Sequence, residues 1–119
     1  MEIGCTEIAV ADTIGRATPR HVDTMLAQVI TSVPEQMLAC HFHDTSGQAL
    51  ANVDAALMRG VRIFDSAVGG LGGCPYAPGA AGNLRTEALV AHLTAAGHTH
   101  GVDAAALARA ATFALSLKR

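Results

Sequence analysis

Apolar positions along this chain change period in a regular way. "TEIAVADT" (Thr6–Thr13) is a short apolar run that leaves into "IGRATP", which predicts a strand opening into a loop. Thr18 and Pro19 then supply an N-cap and a first helical position. Val22, Met25, Leu26, Val29, Ile30 and Val33 follow at i, i+3, i+4, i+7, i+8 and i+11, one apolar face of a helix that ends before Pro34. "QMLACHFHDT" (Gln36–Thr45) predicts a second strand. "SGQALANVDAALMRG" sets Leu50, Val53 and Leu57 on one helix face, with Gly60 as the C-terminal cap. "VRIFDSAV" (Val61–Val68) predicts a third strand. "RTEALVAHLTAAG" predicts a helix with Leu89, Val90 and Leu93 inward, ending at Gly97, and Asp103 caps a last helix, "AAALARAATFALSLK". Three βα units plus a terminal helix predict an α/β fold, with a parallel sheet and functional loops at the strand C-termini. No composition shift or low-complexity segment divides the chain, so residues 1–119 are expected to form a single domain.

One segment breaks the rhythm. "VGGLGGCPYAPGAAGN", Val68 to Asn83, holds six glycines, two prolines and a cysteine in sixteen residues, where a plain connection takes about 4–6. Glycines let the backbone enter positive φ and approach other groups closely. Such a loop suits either a cover that folds over a ligand or a flexible linker.

Composition narrows the partners. Half of the 119 residues are hydrophobic, which is a globular composition. No apolar run approaches the roughly 20 residues of a membrane-spanning helix. The start, "MEIGCTEIAV", lacks the charged and apolar regions of a signal or transit peptide. A net charge of −2 without a basic cluster argues against nucleic acid and against an anionic membrane as partners. Cys5, Cys40 and Cys74 are odd in number, widely spaced and outside any CxxC pair. They predict neither a disulfide framework nor a zinc knuckle, and so a reducing compartment.

The local chemistry is concentrated at the strand ends. His41 and His43 lie two apart on a predicted strand, so their imidazoles share a face while Phe42 points away. Paired imidazoles make a metal edge, or merely a polar patch that lacks further ligands. Cys74, after two glycines and before Pro75, is either a proton-transfer group on a loop or an incidental small residue. Cys5 and Cys40 read as bystanders. Asn83 precedes a helix and reads first as its N-cap, although an amide oxygen also ligates Mg²⁺ or Mn²⁺. Asp12 is either an Asx-turn residue or an acidic group at the site mouth. Asp65 has the same ambiguity, and Asp44 either caps the helix after the histidines or orients one of them. His21, His92, His98 and His100 lie on or beside helices and are given no role.

"ADTIGRATP", "CHFHDTSGQALANVDAALMRGVRIFDSAVGGLGGCPYAPGAAGN" and "TEALVAHL" closely resemble the C-terminal part of the hydroxymethylglutaryl-CoA lyases. These belong to a wider group of metal-dependent lyases, aldolases and acyl-CoA-condensing synthases. "HFHDT" and "GLGG" fit the wider group, and "GGCPYAPGA" is specific to the lyases. The resemblance implies a (β/α)₈ TIM barrel of which this chain supplies the last three βα units plus a C-terminal helix. It implies Mg²⁺ or Mn²⁺ held by His41, His43 and Asn83, with an aspartate from elsewhere in the barrel. It implies catalytic roles for Cys74, in proton transfer on a loop that closes over the substrate, and for Asp12, assisting at the site. The implied substrate is an acyl-CoA, 3-hydroxy-3-methylglutaryl-CoA. A retro-Claisen step would cleave it to acetyl-CoA and acetoacetate.

The chain also departs from that family. It has no "RD" dipeptide, so the first-strand aspartate ligand and its neighbouring catalytic arginine are absent, and the next strand's glutamate is missing too. A TIM barrel takes about 250 residues. The expectation is therefore a C-terminal fragment of a longer catalytic domain, with Met1 an internal methionine. Alone it should bind metal poorly and show little or no lyase activity. The expected partners are a second copy or an N-terminal barrel half. The expected location is the cytoplasm, or the mitochondrial matrix in a eukaryote, and not secreted. The competing readings are a non-catalytic partial barrel serving as an assembly or binding module, and a fragment of a related aldolase or acyl-CoA synthase.

Overall fold

A computed structural model describes residues 4–73 and 82–117. The strands are β1 (Ile8–Asp12), β2 (Leu38–Phe42) and β3 (Ile63–Asp65), and the helices are α1 (Pro19–Val29), α2 (Ala49–Met58), α3 (Thr86–Ala95) and α4 (Ala104–Ser116). The strands form one parallel sheet in the order β1-β2-β3. This is the expected α/β architecture, three βα units and a terminal helix. Strands two and three are shorter than the sequence suggests. Glu35–Met37 and Val68–Gly70 are 3-10 turns flanking them. At the second turn Gly69 (φ 66°) and Gly70 (φ 64°) swing the chain out of the sheet direction.

Register decides which side chains meet. Ala9 pairs with Ala39, Ala11 with His41, Ala39 with Ile63 and His41 with Asp65. Because side chains alternate with period two, these residues share one face. Leu38, Cys40 and Phe42 occupy the other and are buried against α1 and α2, with Val22, Leu26, Ala49, Val53 and Ala56. Burial pushes the Cys40 thiol up to about 11, so it stays neutral and inert, whereas Cys5 is exposed.

The helices start where local chemistry permits. Thr18 caps α1 by accepting from the His21 backbone N–H (3.3 Å), and the His21 ring accepts from the Thr18 N–H (3.3 Å). His21, assigned no role from sequence, thus completes a capping box. Asp103 caps α4 by accepting from the Ala106 N–H at 2.8 Å. Arg59 binds Asp23 at 2.6 Å and ties α2 to α1. The guanidinium beside Asp23 lowers its carboxyl from the ordinary value. His92 lies 2.6 Å from Asp54 and links α3 to α2. No helix among the described residues is long and apolar enough to cross a membrane.

Glu87 in α3 holds the turn that follows β3. Both of its carboxylate oxygens accept from the Gly69 N–H, at 3.1 and 3.0 Å, and Arg85 approaches at 3.4 Å. Burial alone would raise this carboxyl. Hydrogen bonds from its own backbone, from Gly69 and from Arg85 outweigh that, and the net shift is downward.

Two outcomes follow from this packing. Leu26→Ala, at a fully buried site, should destabilise the fold by about 2–5 kcal/mol. Met58→Ala, at a position 87% exposed, should stay within about 0.5 kcal/mol; denaturant titration measures both. Because the folded carboxyl of Glu87 lies below its unfolded value, its contribution is complete above the ordinary carboxylate range and is lost as pH falls through the folded value. Melting temperatures of the wild type and Glu87→Gln should therefore differ at neutral pH and converge in acid.

Candidate functional site

The parallel register brings the loops after β1, β2 and β3 to one rim of the sheet. His41 sits on β2, and its Nδ1 is 3.9 Å from an Asp65 oxygen, beyond hydrogen-bond reach. His43 lies just past the strand. The two rings are 5.0 Å apart between centroids and nearly perpendicular, at 73°. His43 Nδ1 is 3.0 Å from the Asp12 carbonyl oxygen. A carbonyl only accepts, so Nδ1 carries a proton, and in the neutral ring Nε2 is then the nitrogen with the lone pair. This is the state in which a histidine ligates a metal while a backbone carbonyl fixes its ring.

Asn83 adjoins this pair. Beyond the end of β2 the returning chain makes an antiparallel bridge between His43 and Asn83. The Leu84 N–H donates to the Phe42 carbonyl (3.0 Å) and the Asp44 N–H to the Gly82 carbonyl (3.2 Å). Asn83 Nδ2 donates to the Leu71 carbonyl at 2.9 Å. That bond turns Oδ1 the other way, where it is buried without a hydrogen-bond partner among the described residues. The N-cap reading of Asn83 is corrected by the structure. Arg85 occupies the cap of α3, with no side-chain capping bond, because the segment before it is extended and paired to the rim of β2.

The other expected residues fall as follows. The Asp12 carboxylate accepts from the backbone N–H groups of Arg16 (3.1 Å) and Ala17 (2.9 Å), an Asx-type loop anchor. Asp44 accepts from the Ala49 N–H at 3.0 Å and so holds the first turn of α2. Cys74 lies outside the described residues.

Residues not singled out from sequence lock the two loops together. Ser46 donates to the Gly15 carbonyl from its backbone (3.0 Å) and its hydroxyl (2.7 Å). Gly15, at φ 65°, packs so closely that a Cβ there would stand 2.7 Å from the Thr45 nitrogen. Asn52, fully buried in α2, donates from Nδ2 to the Ala17 carbonyl at 3.0 Å. The signal for Asn52 was present: it falls on the face of Ala49, Val53 and Ala56, where an apolar residue is the norm.

The donor set fits a hard divalent cation in kind: imidazole nitrogen and an unsatisfied amide oxygen. It is also neutral. Among the described residues no group of three or more His, Cys, Asp or Glu side chains gathers. A groove of about 540 Å³ between β3, α3 and residues 98–102 contains none of His41, His43 or Asn83.

The HMGL-like family profile matches residues 1–114. The hydroxymethylglutaryl-CoA lyase of Pseudomonas mevalonii is 51% identical over 108 residues, which are 91% of this chain and 36% of that protein. The crystal structure of the HMG-CoA lyase from Brucella melitensis superposes with a TM-score of 0.95 at 47% identity, covering 98% of this chain and 41% of the other. An HMG-CoA lyase from Acinetobacter baumannii, in complex with coenzyme A and 3-methylmalate, has a TM-score of 0.85 at 43% identity, over 92% of this chain and 36% of that one. Rat relatives include a cytoplasmic and a mitochondrial lyase. The chain spans about a third of the length of the curated relatives it matches. Its three parallel βα units superpose on part of those larger enzymes, and the chain belongs to the HMGL-like family.

Proposed function

We propose that this chain carries part of the active site of a carbon–carbon lyase that cleaves 3-hydroxy-3-methylglutaryl-CoA into acetyl-CoA and acetoacetate. One observation carries the reading: the buried Oδ1 of Asn83 has no hydrogen-bond partner among the described residues, and the Asn83 backbone is bridged to that of His43, whose Nδ1 faces the Asp12 carbonyl. His41, His43 and Asn83 would hold Mg²⁺ or Mn²⁺, the cofactor implied by the family resemblance. When bound, the cation supplies Lewis acidity toward substrate oxygens.

The chain's own residues divide the remaining work. Cys74 is proposed to transfer a proton, its thiol needing only modest tuning to act near neutral pH. Asp12 is proposed to assist by positioning. Its carboxylate already holds two backbone N–H groups, while its carbonyl fixes His43. Glu87 and Asn83 anchor the two ends of the glycine-rich segment that carries Cys74. An acyl-CoA substrate agrees with the coenzyme A complex of the Acinetobacter relative. A site in the cytoplasm or mitochondrial matrix agrees with the names of the rat relatives.

Two neutral imidazoles and one amide hold Mg²⁺ weakly without an anionic ligand. The aspartate and arginine that the family resemblance implies would therefore come from another barrel segment. Association with such a segment, or with a second copy, has its own support: among the described residues β1 and β3 each pair with one strand, and Ala9 and Ala11, on the sheet face away from α1 and α2, are exposed. Unpaired edges favour such partners.

The purified 119-residue chain should release no acetoacetate from hydroxymethylglutaryl-CoA. Mixing it with an N-terminal half-barrel bearing an Arg-Asp strand should produce a heterodimer on size exclusion and Mn²⁺-dependent release. In that mixture His43→Ala and Asn83→Ala should each lower kcat/KM by about 10²–10³-fold. Heterodimers without turnover would favour the assembly-module reading.

A further inference from the structure

Asn52 has no place in the metal site, yet its environment is unusual. It is fully buried on α2, its Nδ2 donates to the Ala17 carbonyl at 3.0 Å, and its Oδ1 has no partner among the described residues. A buried, half-satisfied amide is costly, and an apolar residue would pack on that face without the penalty. What the amide holds is the loop between β1 and α1. The Ala17 N–H donates to the Asp12 carboxylate at 2.9 Å, and the Asp12 carbonyl accepts from His43 Nδ1 at 3.0 Å. Three hydrogen bonds, joined through the loop backbone, thus link Asn52 to Ala17, Ala17 to Asp12 and Asp12 to His43, with the Gly15 N–H as a second donor to the Asp12 carbonyl at 3.3 Å.

We propose that Asn52 is a positioning residue: through Ala17 and Asp12 it holds His43 as a single Nδ1–H tautomer with Nε2 offered to a divalent cation. Its purpose rests on the metal-binding reading above, but its effect on the tautomer does not. Removing the Nδ2 donor frees the Ala17 carbonyl, loosens the turn that Asp12 anchors, and lets the Asp12 carbonyl drift from the ring. The imidazole then exchanges between tautomers, and part of the population presents N–H rather than a lone pair to the cation. Ser46 bonds to Gly15 remain, so the loop loosens without detaching.

The test compares wild type, Asn52→Ala and the similarly sized Asn52→Asp by long-range ¹H–¹⁵N imidazole spectra at about pH 8, where an ordinary imidazole is neutral. Circular dichroism checks that each variant folds. Wild type should show His43 as one Nδ1–H tautomer, and both variants should show averaged nitrogen shifts. Mn²⁺ titration, read as paramagnetic broadening of the His41 and His43 ring protons, should need about tenfold more metal in the variants. Folded variants that melt earlier but keep the wild-type tautomer and Mn²⁺ midpoint would make Asn52 purely structural and overturn the proposal. A wild-type His43 that already averages its tautomers would overturn it without any variant. Absence of broadening in wild type even with the N-terminal half-barrel present, with the tautomer still lost in the variants, would sink the metal reading and leave the positioning role standing.

Discussion

Parallel register among β1, β2 and β3 is the constraint from which the rest follows. It is enforced from one side: Leu38, Cys40 and Phe42 must bury against α1 and α2, and a one-residue slip would turn them to the opposite face. The same alternation turns His41 away from the helices. Pairing of Asp12 with Phe42 and of His41 with Asp65 then ends all three strands at one level. The loops meet there because the sheet leaves them nowhere else to go.

At that rim, polar accounting joins stability to chemistry. Buried carbonyls need donors. Those of Asp12, Gly15 and Ala17 find them in His43, Ser46 and Asn52, all from the segment after β2. The contact that satisfies the Asp12 carbonyl is therefore also the one that places a proton on Nδ1 of His43.

Much of this was legible in the sequence, and the reason is periodicity. The Thr18-Pro19 signal located the start of α1, whereas the apolar stripe runs on to Val33 although the helix stops at Val29, and the β-α alternation foretold a parallel sheet. The HxH spacing placed the two imidazoles on one face. Strand ends were less readable, since the 3-10 turns at Glu35–Met37 and Val68–Gly70 arise from backbone geometry that apolar patterning does not encode. Long-range hydrogen bonds were least readable. Nothing local marks Asn52 as the partner of a carbonyl 35 residues away, and Asn83 resembles a helix cap until the chain is seen pairing with His43.

The bridge at His43 and Asn83 closes the neck of the glycine-rich segment. Leu71 is tied to Asn83 on one side and Gly82 to Asp44 on the other, so the ends of the segment are joined before its middle is reached. Extending a loop whose ends are already fixed adds only a slowly growing entropy cost. A change in the number of residues between Gly73 and Gly82 would therefore leave the backbone bridge of His43 and Asn83 in place.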